Sequence, residues 1–260
     1  MHFPPQAITH LAAFSAPIEQ AVHVGKFIER HDILLSHSPL AIEWDKVKEH
    51  ISLHNGGNTL SSNSIITREC LAVDEFQQPN WPAVYLLSMV WGFGETNGRP
   101  AKDGPAKLFV STQTPQAAQR INNAAGRVLA GDLAGAFDSL CVIDGASKLS
   151  EIGPSFGTKF LFAVGMHLAL FLPTQNPIRP LVYDARIKKA IDKLFASFQA
   201  NMPAQDFLWM DVKEGVHYEA YCACISESAT LMNRNSRAVH VHWDAYKLEQ
   251  LLFEQAGNIA

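Results

Sequence analysis

Apolar residues spaced three and four apart, segment after segment, commit most of this chain to helices. After Thr114-Pro115, Ala117, Ala118, Ile121, Ala124, Ala125, Val128 and Leu129 fall on one helical face. Threonine is a good N-cap and proline suits the first helical position, so this helix also has a marked start. After Asp184, Ile187, Ile191, Leu194, Phe195 and Phe198 again share one face. The same reading predicts helices over 16–31, 39–54, 80–93, 132–141, 158–171, 185–199, 217–232 and 244–256. Leu108-Phe109-Val110 and Val239-His240-Val241 are the short pieces that read as extended. Many helices without alternating strands argue against an α/β sheet protein and for a mainly α fold.

Punctuation sits between these segments. Asn55-Gly56-Gly57-Asn58 ends one helix, Gly92 to Gly104 is a long Gly/Pro-rich loop, and Pro173 to Pro180 joins two later helices. The expected division is an N-terminal helical region over 1–110, with a loop that contacts substrate, and a core over 111–260. There is no internal repeat and no low-complexity tract.

Composition bounds the class. Of 260 residues, 47 % are hydrophobic and 18 % charged, enough apolar material for a core and too little charge for disorder. The opening Met1-His2-Phe3-Pro4-Pro5 has neither the basic region nor the apolar run of a leader, and no apolar run of about 18 residues suits a membrane span. Four cysteines, Cys70, Cys141, Cys222 and Cys224, lack the spacing of a disulfide framework. The expectation is a reduced, cytoplasmic monomer. Net charge is −4, unfavourable for a nucleic-acid binder, but it is unevenly spread. Residues 101–200 hold eleven basic and seven acidic residues, so the middle third is positive between two acidic ends. Phosphate contact needs local rather than global positive charge.

That middle third carries the chemistry. Ile152-Gly153-Pro154-Ser155-Phe156-Gly157-Thr158-Lys159 reads as a Gly/Pro hairpin feeding a helix with lysine in its first turn. Asp184 follows 25 positions later, at the start of another helix. A tight hairpin at a helix N-terminus can hold a phosphate on backbone N–H groups, and Gly153 and Gly157 suit close approach. An ordinary helix–turn–helix corner that binds nothing fits the glycines equally. A lysine beside an aspartate adds a possible nucleophile: the amine can attack a carbon once its proton is lost, and a carboxylate stabilises developing positive charge.

Gly157-Thr158-Lys159, with Pro154 upstream and Asp184 downstream, resembles the helix-hairpin-helix DNA glycosylases, in particular their bacterial 8-oxoguanine DNA glycosylase (OGG)-like branch. His217-Tyr218-x-x-Tyr221 and Leu248-Glu249-x-x-Leu252-Phe253 are similar to the C-terminal part of that branch. The resemblance implies a helical bundle in two lobes with the active site in the cleft between them. It implies Lys159 as nucleophile at C1′ and Asp184 as electrostatic stabiliser and proton acceptor. A Schiff base through Lys159 then permits strand cleavage, hence lyase activity. Gly153, Ser155, Gly157 and Thr158 would hold the DNA backbone. Phe156, Trp91, Phe93, Tyr218 and Tyr221 are candidates for the pocket or stacking surface of a flipped base, in DNA that is otherwise double-stranded. Trp209 is a further aromatic candidate, and Arg99 and Lys102 could meet phosphates.

The sequence departs from the family in two places. Ser155 stands where the hairpin's first glycine is usual, and Ala185-Arg186-Ile187 replaces the His-containing run of eukaryotic members. The excised base is thus left open between 8-oxoguanine, in base-excision repair, and a modified base such as glucosylated hydroxymethylcytosine, since some bacterial members occur near phage-defence genes. No metal, iron–sulfur cluster or other cofactor is expected, Cys222-x-Cys224 reading as a packed helix pair and His240-x-His242 as surface histidines. A non-catalytic hairpin module for DNA binding, and a glycosylase without lyase action in which Asp184 activates water, are the alternatives. Lys159 discriminates them, because neither requires a lysine directed into the site.

Overall fold

The computed structural model describes residues 21–23, 49, 65–71, 79–93, 115–142, 149, 152–171, 178–196, 209–235 and 242–256. Helices dominate them: α1 Trp81–Phe93, α2 Pro115–Leu129, α3 Leu133–Phe137, α4 Pro154–Phe171, α5 Ala185–Phe195, α6 Gly215–Asn235 and α7 Ala245–Gln255. Two short strands, β1 Ala21–His23 and β2 Ile65–Thr67, pair antiparallel with Val22 opposite Ile66. The helix expected over 16–31 is therefore wrong at its centre. Residues 21–23 are extended because a distant β-branched segment supplies their ladder, and such pairing overrides local helical preference. Of the helix expected over 39–54, Glu49 alone is described, and it is helical. Residues 55–58, 94–114 and 236–241 lie outside the described set, and with them Thr114, Arg99, Lys102, His240 and both predicted extended pieces.

The helix that carries Lys159 lies at the centre. Phe160, Leu161, Phe162, Ala163 and Val164 are all fully buried, so α4 is covered on every side over this stretch. An apolar helix of that kind belongs in a core. On it pack α1, α2, α3 and the π-helical turn Asp138–Val142. The two strongly patterned helices largely follow their sequence: α2 buries Ala117, Ile121, Ala124, Ala125 and Val128 but exposes Leu129, at its end, and α5 buries Ile187, Ala190, Ile191, Leu194 and Phe195. Further contacts join α5 to α7, and α6 to α3 and α7.

The α2–α3 corner shows how local rules set direction. Gly131 takes φ 81°, Gly131 N–H donates to Val128 O and Asp132 N–H to Arg127 O. This is a Schellman ending, which needs a left-handed residue that glycine adopts without strain. Asp132 then caps α3 by accepting from Gly135 N–H at 2.8 Å. At the far end of the core, α6 begins against α3. A Cβ on Gly215 would collide with the Ala134 carbonyl, and Gly215 N–H donates to Asp138 Oδ1 at 2.6 Å.

One boundary matters for the site. The helix expected over 158–171 starts at Pro154. Gly153 O accepts from Phe156 N–H and Gly157 N–H, so residues expected in the hairpin form the first turn of α4, with proline at its first position.

Candidate active site

Two elements bring Lys159 and Asp184 together. Lys159 stands in the second turn of α4. Asp184 is the N-cap of α5, where Oδ1 accepts from Arg186 N–H at 2.9 Å and Ile187 N–H at 3.0 Å. Those bonds fix the carboxylate and leave Oδ2 facing the lysine, 3.4 Å from Nζ. Lys159 Nζ also donates to Ser155 O at 2.9 Å and lies 5.5 Å from the centre of the Phe156 ring. Both side chains are largely buried, at 8 % and 11 % exposure.

Burial has a chemical consequence for the amine. Desolvation pushes the Lys159 ammonium below its ordinary pKa, against the pull of Asp184 and Glu249 toward the charged form, and Arg68 adds to the lowering. Desolvation disfavours the charged form of a lysine, which is the condition an amine nucleophile needs.

Asp184 is held in place by the segment before it. Pro180 to Tyr183 is buried and forms neither helix nor strand, with no strand beside it among the described residues. Its backbone groups are met by side-chain hydroxyls. Tyr218 Oη donates to Leu181 O at 2.8 Å and accepts from Leu181 N–H at 3.1 Å. Tyr221 Oη donates to Val182 O at 2.8 Å. Thr158 Oγ1 accepts from Tyr183 N–H at 2.9 Å, and its hydroxyl lies within reach of both Pro154 O and Tyr183 O. Buried backbone groups must find partners, and here three hydroxyls do what a neighbouring strand would do. Tyr183 extends the brace, donating to Met210 O at 2.6 Å.

These contacts reassign several expected positions. Thr158 is fully buried, and its hydroxyl is engaged by Tyr183 and Pro154, tying the Asp184 segment to α4. Tyr218 and Tyr221 are fully buried braces of Leu181 and Val182, not faces open to a base. Gly157 is buried against the π turn, where a Cβ would collide with Cys141 Sγ. Its N–H is engaged by Gly153 O, so it serves helix packing more than ligand approach. Gly153 and Ser155 remain partly exposed at the start of α4, and a Cβ on Gly153 would meet nothing within 4 Å. That opening suits an anion chiefly through the helix dipole, since Pro154 has no N–H and those of Phe156 and Gly157 donate to Gly153 O.

Among the aromatics, Phe156 is partly buried and faces both Lys159 Nζ and Gly92. Trp91 is buried and stacked on Phe162, with ring centres 6.2 Å apart. Phe93 closes α1, and its side chain lies outside the described residues. Trp209 is buried edge-on against Phe195. Cys222 and Cys224 are buried free thiols in α6, Cys222 pushed up to about 12 mainly by burial. His242 is exposed.

The structure also places residues here to which sequence reading gave no role. Arg68, just after β2, and Glu249, in α7, form a buried two-pronged ion pair with contacts of 2.6 and 3.1 Å. Gly92 packs directly on the Lys159 side chain, where a Cβ would lie 2.6 Å from Cδ. Glu249 stands in the C-terminal segment that resembles the family, but nothing local marks its partner 181 positions away. In the first turns of α5, Arg186 and Lys189 are exposed, and Arg186 lies over the Phe253 ring at 4.2 Å.

A buried lysine against a helix-capping aspartate, in a mainly helical chain, is the arrangement on which comparison with known proteins can bear. Residues 34–253 match the family described as Putative 8-oxoguanine DNA glycosylase OGG-like protein. The chain belongs to this OGG-like family. No curated protein and no solved structure matches it. Membership makes the mainly α architecture that of an OGG-like glycosylase, DNA its partner, and base removal its general chemistry. The match runs across position 110 and takes in β2, α1 and the core helices alike. No described helix is long and apolar enough to cross a membrane.

Proposed function

We propose that this OGG-like protein excises a damaged or modified base by attack of the Lys159 amine on C1′, and that it cleaves the resulting abasic strand as a lyase. The observation that carries the reading is the buried Lys159 Nζ, 3.4 Å from an Asp184 carboxylate that two backbone N–H groups hold in place. A lysine that only gripped phosphate would be expected at the surface, so its burial disfavours a non-catalytic binding module.

The N-glycosidic bond breaks, and the base leaves with the bonding pair and takes up a proton. Asp184 stabilises positive charge on the sugar as it develops. The neutral amine of Lys159 bonds to C1′ and loses a proton, for which Asp184 is the acceptor. Opening of the C1′–O4′ bond, with O4′ leaving on the bonding pair and taking up the proton held by Asp184, gives the Schiff base; a C2′ proton is then lost to water, and its electron pair forms the C2′–C3′ double bond as the 3′ phosphate leaves. Phe156, beside Nζ, is positioned to contact the sugar or the flipped base. The start of α4 at Gly153 and Ser155, with Arg186 and Lys189 on α5, supplies the positive potential for flanking phosphates.

The test is borohydride reduction of the protein with duplex oligonucleotides carrying 8-oxoguanine, glucosylated hydroxymethylcytosine or an abasic site. A covalent adduct is expected with the native chain and not with Lys159→Gln. An adduct that survives in Lys159→Gln sinks the assignment of the nucleophile. Base release that persists in that variant without an adduct would transfer the role to water activated by Asp184.

A further inference from the structure

Two buried ion pairs share one layer of this molecule, and the mechanism above uses only one. Lys159 and Phe162 lie one turn apart on α4. Trp91 and Gly92, consecutive on α1, cover them: Gly92 faces the Lys159 stem and Trp91 stacks on Phe162. The Arg68 guanidinium rests over both rings, 5.1 Å from the centre of Phe162 and 5.7 Å from that of Trp91. Glu249 grips that guanidinium with both oxygens. Arg68 is 5 % exposed and Glu249 is fully buried.

Such a pair is costly. Replacing a buried ion pair by apolar residues of similar volume is often neutral or stabilising, so its presence is weak evidence for a stability role. Its neighbours suggest what else it does. Among the described residues, the charged groups that act on Lys159 are Asp184 from the α5 cap, Glu249 from α7 and Arg68 from the segment after β2. Glu249 in turn feels Arg68, Asp184 and Lys159, and burial raises its own pKa. Tyr221, from α6, faces Glu249 and Asp184 as a neutral phenol whose pKa burial raises well above the ordinary value. Two carboxylates, Asp184 in contact and Glu249 through its field, therefore pull Lys159 toward its charged form, although the attack requires it to be neutral. An uncancelled second carboxylate in a low-dielectric layer would hold the proton on the amine.

We propose that Arg68 is a positioning residue that cancels the charge of Glu249, leaving Asp184 as the one uncompensated carboxylate acting on Lys159. Glu249 orients Arg68, and the guanidinium is held over the rings of Trp91 and of Phe162, the residue one turn along α4 from Lys159. The inference rests on the reading of Lys159 as nucleophile, but its test does not require DNA.

The experiment is a titration of the Lys159 side chain by NMR of lysine labelled with carbon-13 at Cε, its signal assigned by its loss in Lys159→Gln. Glu249→Gln keeps the shape and an acceptor for Arg68 but removes the negative charge. Its Lys159 midpoint is expected to fall by about one pH unit, since an unpaired cation nearby disfavours the ammonium. An unchanged or raised midpoint overturns the proposal, because a purely structural role would lower the melting temperature and leave the midpoint alone. The paired change Arg68→Met with Glu249→Met removes both charges and keeps the variant foldable if the single change is not. Its midpoint is expected to stay at the native value, and a clear shift in either direction shows that the pair was not balanced toward Lys159. Borohydride trapping on abasic DNA across pH accompanies each titration. If the native chain forms no adduct at any pH, the nucleophile reading fails while the titration still decides the role of the pair.

Discussion

Gly92→Ala separates holding the fold from aiming the lysine. An ideal Cβ at position 92 would lie 2.6 Å from Lys159 Cδ, 3.2 Å from Cε and 3.3 Å from the Phe156 ring. Carbon atoms rest comfortably about 3.5–4.0 Å apart, so the lysine stem must retreat by roughly 1 Å. Folding tolerates this, because the obstacle is a flexible side chain rather than backbone. An off-rotamer lysine costs about 0.5–1.5 kcal/mol. Replacing glycine by alanine inside α1 returns up to about 1 kcal/mol of helix propensity. The net change in stability is therefore expected to lie within about 1 kcal/mol of zero. Catalysis does not tolerate it, since a displacement of about 1 Å at a reacting group can cost about 10²-fold in rate. Single-turnover base release and borohydride trapping, measured beside a thermal melt, read the two effects separately. A rate within twofold of native in a normally folded Gly92→Ala protein would refute the claim that Gly92 sets the path of Lys159.

Three further outcomes follow from the same geometry. Asp184→Asn keeps an oxygen to cap α5, so stability is expected to change by less than about 1 kcal/mol, while single-turnover base release falls by about 10²–10³-fold as the charge opposite the sugar is lost. Thr158→Val keeps the shape but leaves Tyr183 N–H buried without its acceptor; a loss of about 1–3 kcal/mol in chemical denaturation is expected, with slower base release as Asp184 loosens. Lys159→Met tests the sign of the burial effect. A lysine whose folded pKa is depressed contributes stability that is complete above its unfolded value, near 10.5, and is lost as pH falls through the folded value. Below the unfolded value the buried amine therefore costs the native chain stability. Lys159→Met is expected to melt higher than native at pH 7, with the gap closing as pH approaches 10; a variant that melts lower at both pH values contradicts the direction.

Whatever depends on near neighbours was legible in the sequence. The faces of α2 and α5 follow from spacing alone, and both helices bury most of the apolar stripe expected of them, with Ala118 half-buried and Leu129 exposed on α2 and Phe198 outside the described residues. Asp184 could be read as a cap and Lys159 as an early residue of an apolar helix, because capping and periodicity act over a few residues. Even there, a one-turn error in where α4 begins changed the meaning of Gly157 and Thr158. Read as hairpin they face a ligand; in the first turn of a helix one packs on Cys141 and the other reaches Tyr183.

What remained illegible depends on groups that meet only after folding. Residues 21–23 became extended through a partner more than forty positions away. Tyr218 and Tyr221 resembled aromatic walls, yet their hydroxyls are spent on a backbone segment without a neighbouring strand, a need that exists only once that segment is buried. Arg68 and Glu249 are unremarkable in their own surroundings and acquire meaning from each other and from Lys159. By itself the sequence determined the strongly patterned helices and supplied the lysine and the aspartate, since both are consequences of local order and residue type. Tertiary structure alone decided that the lysine is buried, which charges surround it and which glycine leaves it room, because desolvation and the pairing of buried charge belong to the folded interior and to no stretch of chain.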